Sequence, residues 1–146
     1  VRTYESNERV AAAVFADGRY DGPRRTGTGI YYLLERGTFS EMHRLKSDEL
    51  FHFYAGDAVE MLQLAEGGIG RRVMIGNDLA RGQRPQVVVE RGGWQGARMA
   101  GEGRWALLGY TVSPGFEFED YESARREQLL AGWPEFEEEI MSLTRG

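Results

Sequence analysis

The side chains able to do chemistry concentrate in one stretch, Gly37–Gly56 (GTFSEMHRLKSDELFHFYAG). It holds both histidines of the chain, His43 and His52, its only lysine, Lys46, and the acidic pair Asp48 and Glu49. An imidazole beside a carboxylate suits two chemistries, ligation of a divalent cation or proton transfer. Which of these groups can meet depends on strand parity, because alternate side chains of an extended segment share a face. His43 and Leu45 share one. In the following run Glu49, Phe51 and Phe53 share a face, while His52 and Tyr54 take the other. With Glu49 turned inward, His43 and Glu49 can meet. His52 then falls outside, as a structural or dimer-interface residue. Lys46 and Arg44, opposite His43, fall to solvent or an interface. Arg98, out of phase with Gln95, reads as the partner of an acid.

The elements that must position these groups are short. β-rich runs at Ile30–Leu34, Glu41–Leu45, Leu50–Tyr54, Val59–Leu64, Arg71–Ile75, Gln86–Val89, Gln95–Met99 and Trp105–Val112 are cut by glycine-containing turns. Strands recurring every 8–12 residues with turn chemistry between them predict an all-β sandwich or barrel. Val1–Ser6 adds a strand at the start. The apolar run within Glu8–Ala16 fits a strand or a helical turn, and the glycine-dense Asp17–Gly29 is a loop. After Pro114-Gly115 the texture changes. Asp120 is placed as the cap of a helix running to Leu130, and Pro134 in the first turn of a second. Glu135, Glu137, Glu138 and Glu139 would then form a solvated helix face. The expected organisation is one domain over 1–146, with a barrel to about residue 119 and helices from about 120 to 144.

Composition narrows the function classes. The chain has 146 residues, a net charge of −5 and no cysteine. One sizeable core is expected. Net negative charge argues against nucleic-acid or anionic-membrane partners. Without cysteine there is no disulfide framework and no thiolate ligand, which fits a reducing cytoplasm. No apolar run approaches the ~20 residues of a membrane-spanning helix. The chain opens on Val1 rather than methionine, which fits a trimmed start.

The spacing from Gly37 through His43 and Glu49 to Gly56 resembles the first signature of the cupin superfamily, G-x5-H-x-H-x3-E-x6-G. Leu45 stands where the second histidine would be. A degraded second signature in Arg91–Met99 puts Gln95 at the last ligand position. The phrases HRLKSDELFHFYAGD, GQRPQVVV, WQGAR and SPGFEFEDYE further resemble the Cupin_5 family, long catalogued as a domain of unknown function. That resemblance implies a double-stranded β-helix, or jelly-roll barrel, and a homodimer.

Several functional readings follow. The superfamily's metal site would map to His43, Glu49 and Gln95, three donors at best, so a divalent transition metal is possible and no cofactor is the first expectation. The preferred reading is metal-free. By analogy with the superfamily's sugar epimerases, His43 would be the base and Glu49 its orienting partner. Tyr31, Tyr32 or Tyr54 would be the acid, and Lys46 would steady an enolate. The third reading is a non-catalytic pocket for a small organic ligand, apolar or carbohydrate-like. Gln95, Phe51, Phe53, Trp94 and Met99 would line it, the alternative for the apolar residues being barrel core.

Overall fold

The β-rich runs pair into two five-stranded antiparallel sheets whose inner faces share a core. The computed structural model describes all residues, Val1–Gly146. In chain order the strands are β1 (Arg2–Glu5), β2 (Arg9–Val10), β3 (Arg24–Arg25), β4 (Thr28–Glu35), β5 (Phe39–Arg44), β6 (Asp48–Gly56), β7 (Val59–Ala65), β8 (Ile69–Ile75), β9 (Gln86–Val89), β10 (Trp94–Met99), β11 (Trp105–Ser113) and β12 (Glu122–Ser123). Two short helices follow, α1 (Arg126–Gly132) and α2 (Glu137–Ser142). The first sheet runs β1-β4-β11-β6-β9 and the second β12-β5-β10-β7-β8, with β2 and β3 forming a separate ribbon. No helix is long and apolar enough to cross a membrane.

Alternation decides where each strand's apolar side chains go. On β7, Val59 and Met61 point between the sheets, whereas Leu62 and Leu64 point out. The inward set is joined by Leu34, Phe51, Ile75, Val87, Val89, Ala97, Met99, Ala106, Leu108 and Tyr110. The outward set of the second sheet is not solvated. Met42, Leu62, Leu64 and Trp94 meet Leu129, Phe136, Ile140 and Leu143 from the C-terminal helices. Each such burial contributes roughly 1.5–3 kcal/mol, which fixes helices too short to persist alone. Trp133 Nε1 adds hydrogen bonds to the Ala65 and Ile69 carbonyls, at 2.9 and 3.0 Å.

Two sequence expectations fail in this region. Asp120 caps no helix. It ends a 3-10 turn, Phe118–Asp120, and α1 starts only at Arg126 without a side-chain cap. Its carboxylate is instead taken bidentately by Arg24, at 2.7 Å on both oxygens. Charge pairing across 96 residues outcompetes a local backbone bond. Nor are all the acids of the last helix solvated, since Glu139 is buried and pairs with Arg72.

The two glycines bracketing the chemical stretch both have left-handed backbone, Gly37 in a turn at φ 85° and Gly56 at the end of β6 at φ 98°. A Cβ on Gly37 would meet nothing within 4 Å, whereas one on Gly56 would strike the Trp105 carbonyl. Gly37→Ala is therefore expected to cost about 1 kcal/mol of stability, the backbone strain alone. Gly56→Ala is expected to cost roughly 3 kcal/mol or more, because strand β11 must also move. Urea melts of the two variants measure the difference.

Candidate functional site

The site is assembled where β5, β6 and β10 bring His43, Glu49 and Gln95 together. All three side chains are buried. Gln95 pairs with His43 across β10 and β5, but Ala97 pairs with Ser40, so β5 carries one extra residue between them. This β-bulge turns Met42 out to the helices and His43 in, the re-aiming role bulges have beside sites. It also lets His43 Nδ1 donate to the Glu41 carbonyl at 2.6 Å. That bond fixes the tautomer and leaves the lone pair on Nε2. The Gln95 amide nitrogen donates to His43 Nε2 at 2.9 Å and to Glu49 Oε1 at 3.2 Å. The Gln95 Oε1 atom, on the other side of the amide carbon, is buried without a partner.

Burial sets the charge states. It lowers the His43 pKa below 6.5, against the raising effect of the Glu41 carbonyl bond, so the imidazole is neutral at pH 7. Burial raises Glu49 to about 8, the Gln95 hydrogen bond offsetting only part of this. A charged carboxylate is disfavoured where water is excluded and no cation answers it. His43 and Glu49 do not touch in the way the sequence suggested, because Gln95 lies between them. The group that orients His43 is the Glu41 carbonyl, aided by the Tyr121 ring stacked on the imidazole at 4.6 Å.

The pair faces a cavity of about 820 Å³ between the two sheets. Its polar wall is His43, Glu49, Tyr32, Tyr110 and Ser40, and its rim includes Glu41, Tyr121 and Arg145, with Phe116 and Phe118 beyond. Leu45 lines it too, presenting carbon where the superfamily places a histidine. Glu41 takes hydrogen bonds from Tyr121 and Ser123, at 3.0 and 3.1 Å.

The aromatic and sulfur side chains expected to wall the cavity lie elsewhere. Phe51 and Met99 fill the closed end of the barrel, with Phe53 packed against them. Trp94 points out of the barrel into the helix-covered core, where Arg44 stacks on its ring at 4.4 Å. The reason is depth. Phe51 shares the inward face with Glu49 but sits two residues deeper, beneath the ring of Tyr110 at 4.1 Å. Tyr31 and Tyr54 pack together on the outer face of the first sheet, so only Tyr32 of the three candidate acids reaches the cavity. Lys46 lines a separate, charged hollow with Arg19, Arg44 and Arg91. Arg98 does pair with an acid, Glu60, at 3.6 Å. His52 lies outside the barrel, with Nε2 on the Thr111 hydroxyl at 3.0 Å.

Sequence reasoning missed Tyr110, Tyr121 and Glu41. Tyr110 was within reach. It keeps the parity of Leu108 and Val112 in a run already read as a strand, so an inward Leu108 would have predicted it. Tyr121 and Arg145 come from irregular segments that no periodicity places.

The model of the Cupin_5 family, described as Cupin superfamily (DUF985), matches residues 1–124. The chain belongs to the Cupin_5 family. A Shewanella oneidensis protein of known structure shares 34% identity with this cupin at a TM-score of 0.83, over 99% of this chain and 85% of that one. A hypothetical protein from Leishmania major shares 27% at a TM-score of 0.86, over 100% and 88%. A dTDP sugar isomerase from Desulfovibrio desulfuricans shares 15% at a TM-score of 0.58, over 72% and 76%, a likeness of fold. No curated protein matches the chain.

The cupin fold raises the question of a metal. In this member the Gln95 N–H groups point at both His43 Nε2 and Glu49 Oε1, filling with protons the space where a cation needs lone pairs. Leu45 offers no donor, and no three His, Cys, Asp or Glu side chains are placed to hold a metal ion together. The donors present are a poor fit for a divalent ion.

Proposed function

We propose that the cavity binds a small carbohydrate-like molecule and isomerises or epimerises it by metal-independent proton transfer through Glu49. The observation behind this reading is the placement of the Glu49 carboxyl. It lines the cavity, the Gln95 amide steadies one of its oxygens, and the other takes no hydrogen bond from the chain. With a pKa of about 8, it is both acid and base near neutrality, the condition under which proton transfer is most effective. Tyr32, on the cavity wall, offers a hydrogen bond to a hydroxyl or carbonyl group without adding charge. The role of base thus passes from His43, whose two nitrogens are both engaged, to Glu49.

The test is exchange of solvent deuterium into carbon positions of a panel of keto sugars and nucleotide sugars, followed by NMR. The expected result is exchange by the wild-type protein and none by Glu49→Gln. Binding without exchange would instead make this cupin a non-catalytic binding protein.

We further propose that the outer face of the first sheet mediates homodimerisation. Tyr31, Leu33 and Tyr54 are each at least half exposed there, with Trp105 and Val88 exposed on neighbouring strands. Leu33 sits directly opposite Leu107. A contiguous apolar sheet face of this kind is uncommon on a monomer. Leu33→Asp is expected to halve the mass measured by light scattering; a wild-type protein that is monomeric at all concentrations would overturn the proposal.

A further inference from the structure

The charged hollow behind Leu45 and Tyr121 takes no part in the chemistry of the main cavity. Those two residues line both spaces and form the wall between them. The hollow measures about 650 Å³, and Arg19, Arg44, Lys46 and Arg91 give it four cationic side chains. Its acids are already answered. Asp120 takes Arg24 on both oxygens, Glu119 stands 3.1 Å from the same guanidinium, and Glu122 takes Arg44 at 2.8 and 3.0 Å. Asp17, beside the hollow, takes Arg91. Two cations are left over. Lys46 is partly buried, yet its ammonium has no hydrogen bond and no acid within ion-pair reach. Arg19 approaches Asp17 only through Nε, at 3.6 Å and outside hydrogen-bond geometry, so its two terminal nitrogens carry unused N–H groups.

Both groups are held in place. The Arg19 guanidinium lies over Phe15 at 4.4 Å and over Tyr20 at 5.2 Å, two rings that meet edge to face. Tyr20 is buried, and its hydroxyl donates to the Lys46 carbonyl at 3.2 Å and shares a hydrogen bond with the Ser47 hydroxyl. One tyrosine thus carries the guanidinium on its face and pins the backbone of the lysine from its edge. Like charges gathered in a hollow repel each other, and an anion between them reverses the sign of that interaction.

We propose that this hollow binds a phosphate monoester, whose oxygens bridge the Lys46 ammonium and the Arg19 terminal N–H groups, with Arg44 and Arg91 on its flanks. A tetrahedral oxyanion has enough oxygens to accept from a guanidinium and an ammonium at once. The hollow is far larger than the phosphoryl group, which leaves room for the organic body of a small metabolite. A polyanion such as nucleic acid is disfavoured, because Glu119 and Glu122 stand more than half exposed beside it. The site uses no proton transfer at Glu49.

The experiment titrates the protein with inorganic phosphate and with methyl phosphate at constant ionic strength, followed by phosphorus NMR and amide correlation spectra. Both are expected to bind saturably at one site, moving the amide signals of Lys46, Ser47 and Gly92 and leaving that of Ser40, in the main cavity, in place. Lys46→Gln, which removes no contact the fold uses, is expected to weaken binding about tenfold. Arg81→Gln removes the same charge from a side chain that is 83% exposed and lies outside the hollow, and is expected to change nothing. Equal weakening by the two variants would reduce the effect to diffuse attraction by net charge and overturn the site. Amide shifts confined to the main cavity, or no saturable binding, would overturn it too. Inorganic phosphate bound with methyl phosphate excluded would overturn the ligand class. Glu49→Gln is expected to leave both titrations unchanged, so the failure of the proton-transfer reading and the failure of this site are read separately.

Discussion

Glu49→Gln is expected to reduce proton exchange at least 10²-fold, the usual contribution of a positioned acid–base group, and to remove a pH dependence from both rate and stability. The base form of Glu49 is the carboxylate, so wild-type kcat/KM should rise with pH and level off above about 8. The stability effect has the opposite slope. The folded chain holds the Glu49 proton up to about pH 8, whereas the unfolded chain releases it near 4.5. Between those values the folded state binds more protons, so this contribution is complete below pH 4.5 and is lost as pH rises through 8. Linkage makes it worth on the order of 3–5 kcal/mol across the window.

Glutamine keeps the size of the side chain and an oxygen for the Gln95 amide, but it cannot titrate. Melting temperatures of the two proteins should therefore diverge between pH 5 and pH 8, the variant gaining on the wild type as pH rises. The difference is the quantity to follow, because His43, whose pKa is lowered by burial, makes stability rise with pH up to about 6.5 in both. A constant difference across that range would mean that Glu49 is ionised like a surface carboxyl.

The second large effect is expected from Asp120→Ala. Arg24 is 2% exposed, and its guanidinium spans both oxygens of Asp120 while stacking on Tyr20 at 4.9 Å. Removing the acid leaves a buried cation with the Gly22 and Pro23 carbonyls and one acid, Glu119, at 3.1 Å and largely exposed. Breaking such a pair from one side costs about 3–5 kcal/mol, enough to lower Tm by roughly 10 °C. The damage should extend to ligand binding, because the segment Asp120 ties down also carries Phe116, Phe118 and Tyr121 to the cavity rim. The double variant Arg24→Met/Asp120→Leu, with no charge left to bury, should be milder than Asp120→Ala alone. Calorimetry on the three proteins decides it. A change of less than about 2 °C on Asp120→Ala would show that the pair is solvated, at the low cost of a surface ion pair.

The legibility of the site divides along physical lines. His43, Glu49 and Gln95 were readable because each lies on a strand within a signature of fixed spacing, and parity put His52 on the other side. Parity failed where a bulge intervened. Strict alternation along β5 cannot place both Ser40 and His43 inward, and only the pairing with β10 reveals the extra residue. Parity also carries no depth. Glu49 and Phe51 share a face, but one meets the cavity and the other closes the barrel beneath it.

Sequence by itself determined the strand runs, the turns and the family, because period-two patterning and glycine chemistry are local properties. It also determined that Leu45 replaces a ligand, a matter of residue type. The tertiary structure alone decided how those residues meet and what surrounds them. Exclusion of water, with no cation nearby, keeps Glu49 protonated near neutral pH. The Gln95 amide stands between it and His43, and Tyr110 is stacked on Tyr32 above Phe51. Each of these depends on which strands lie side by side and how deeply, and no local spacing encodes that.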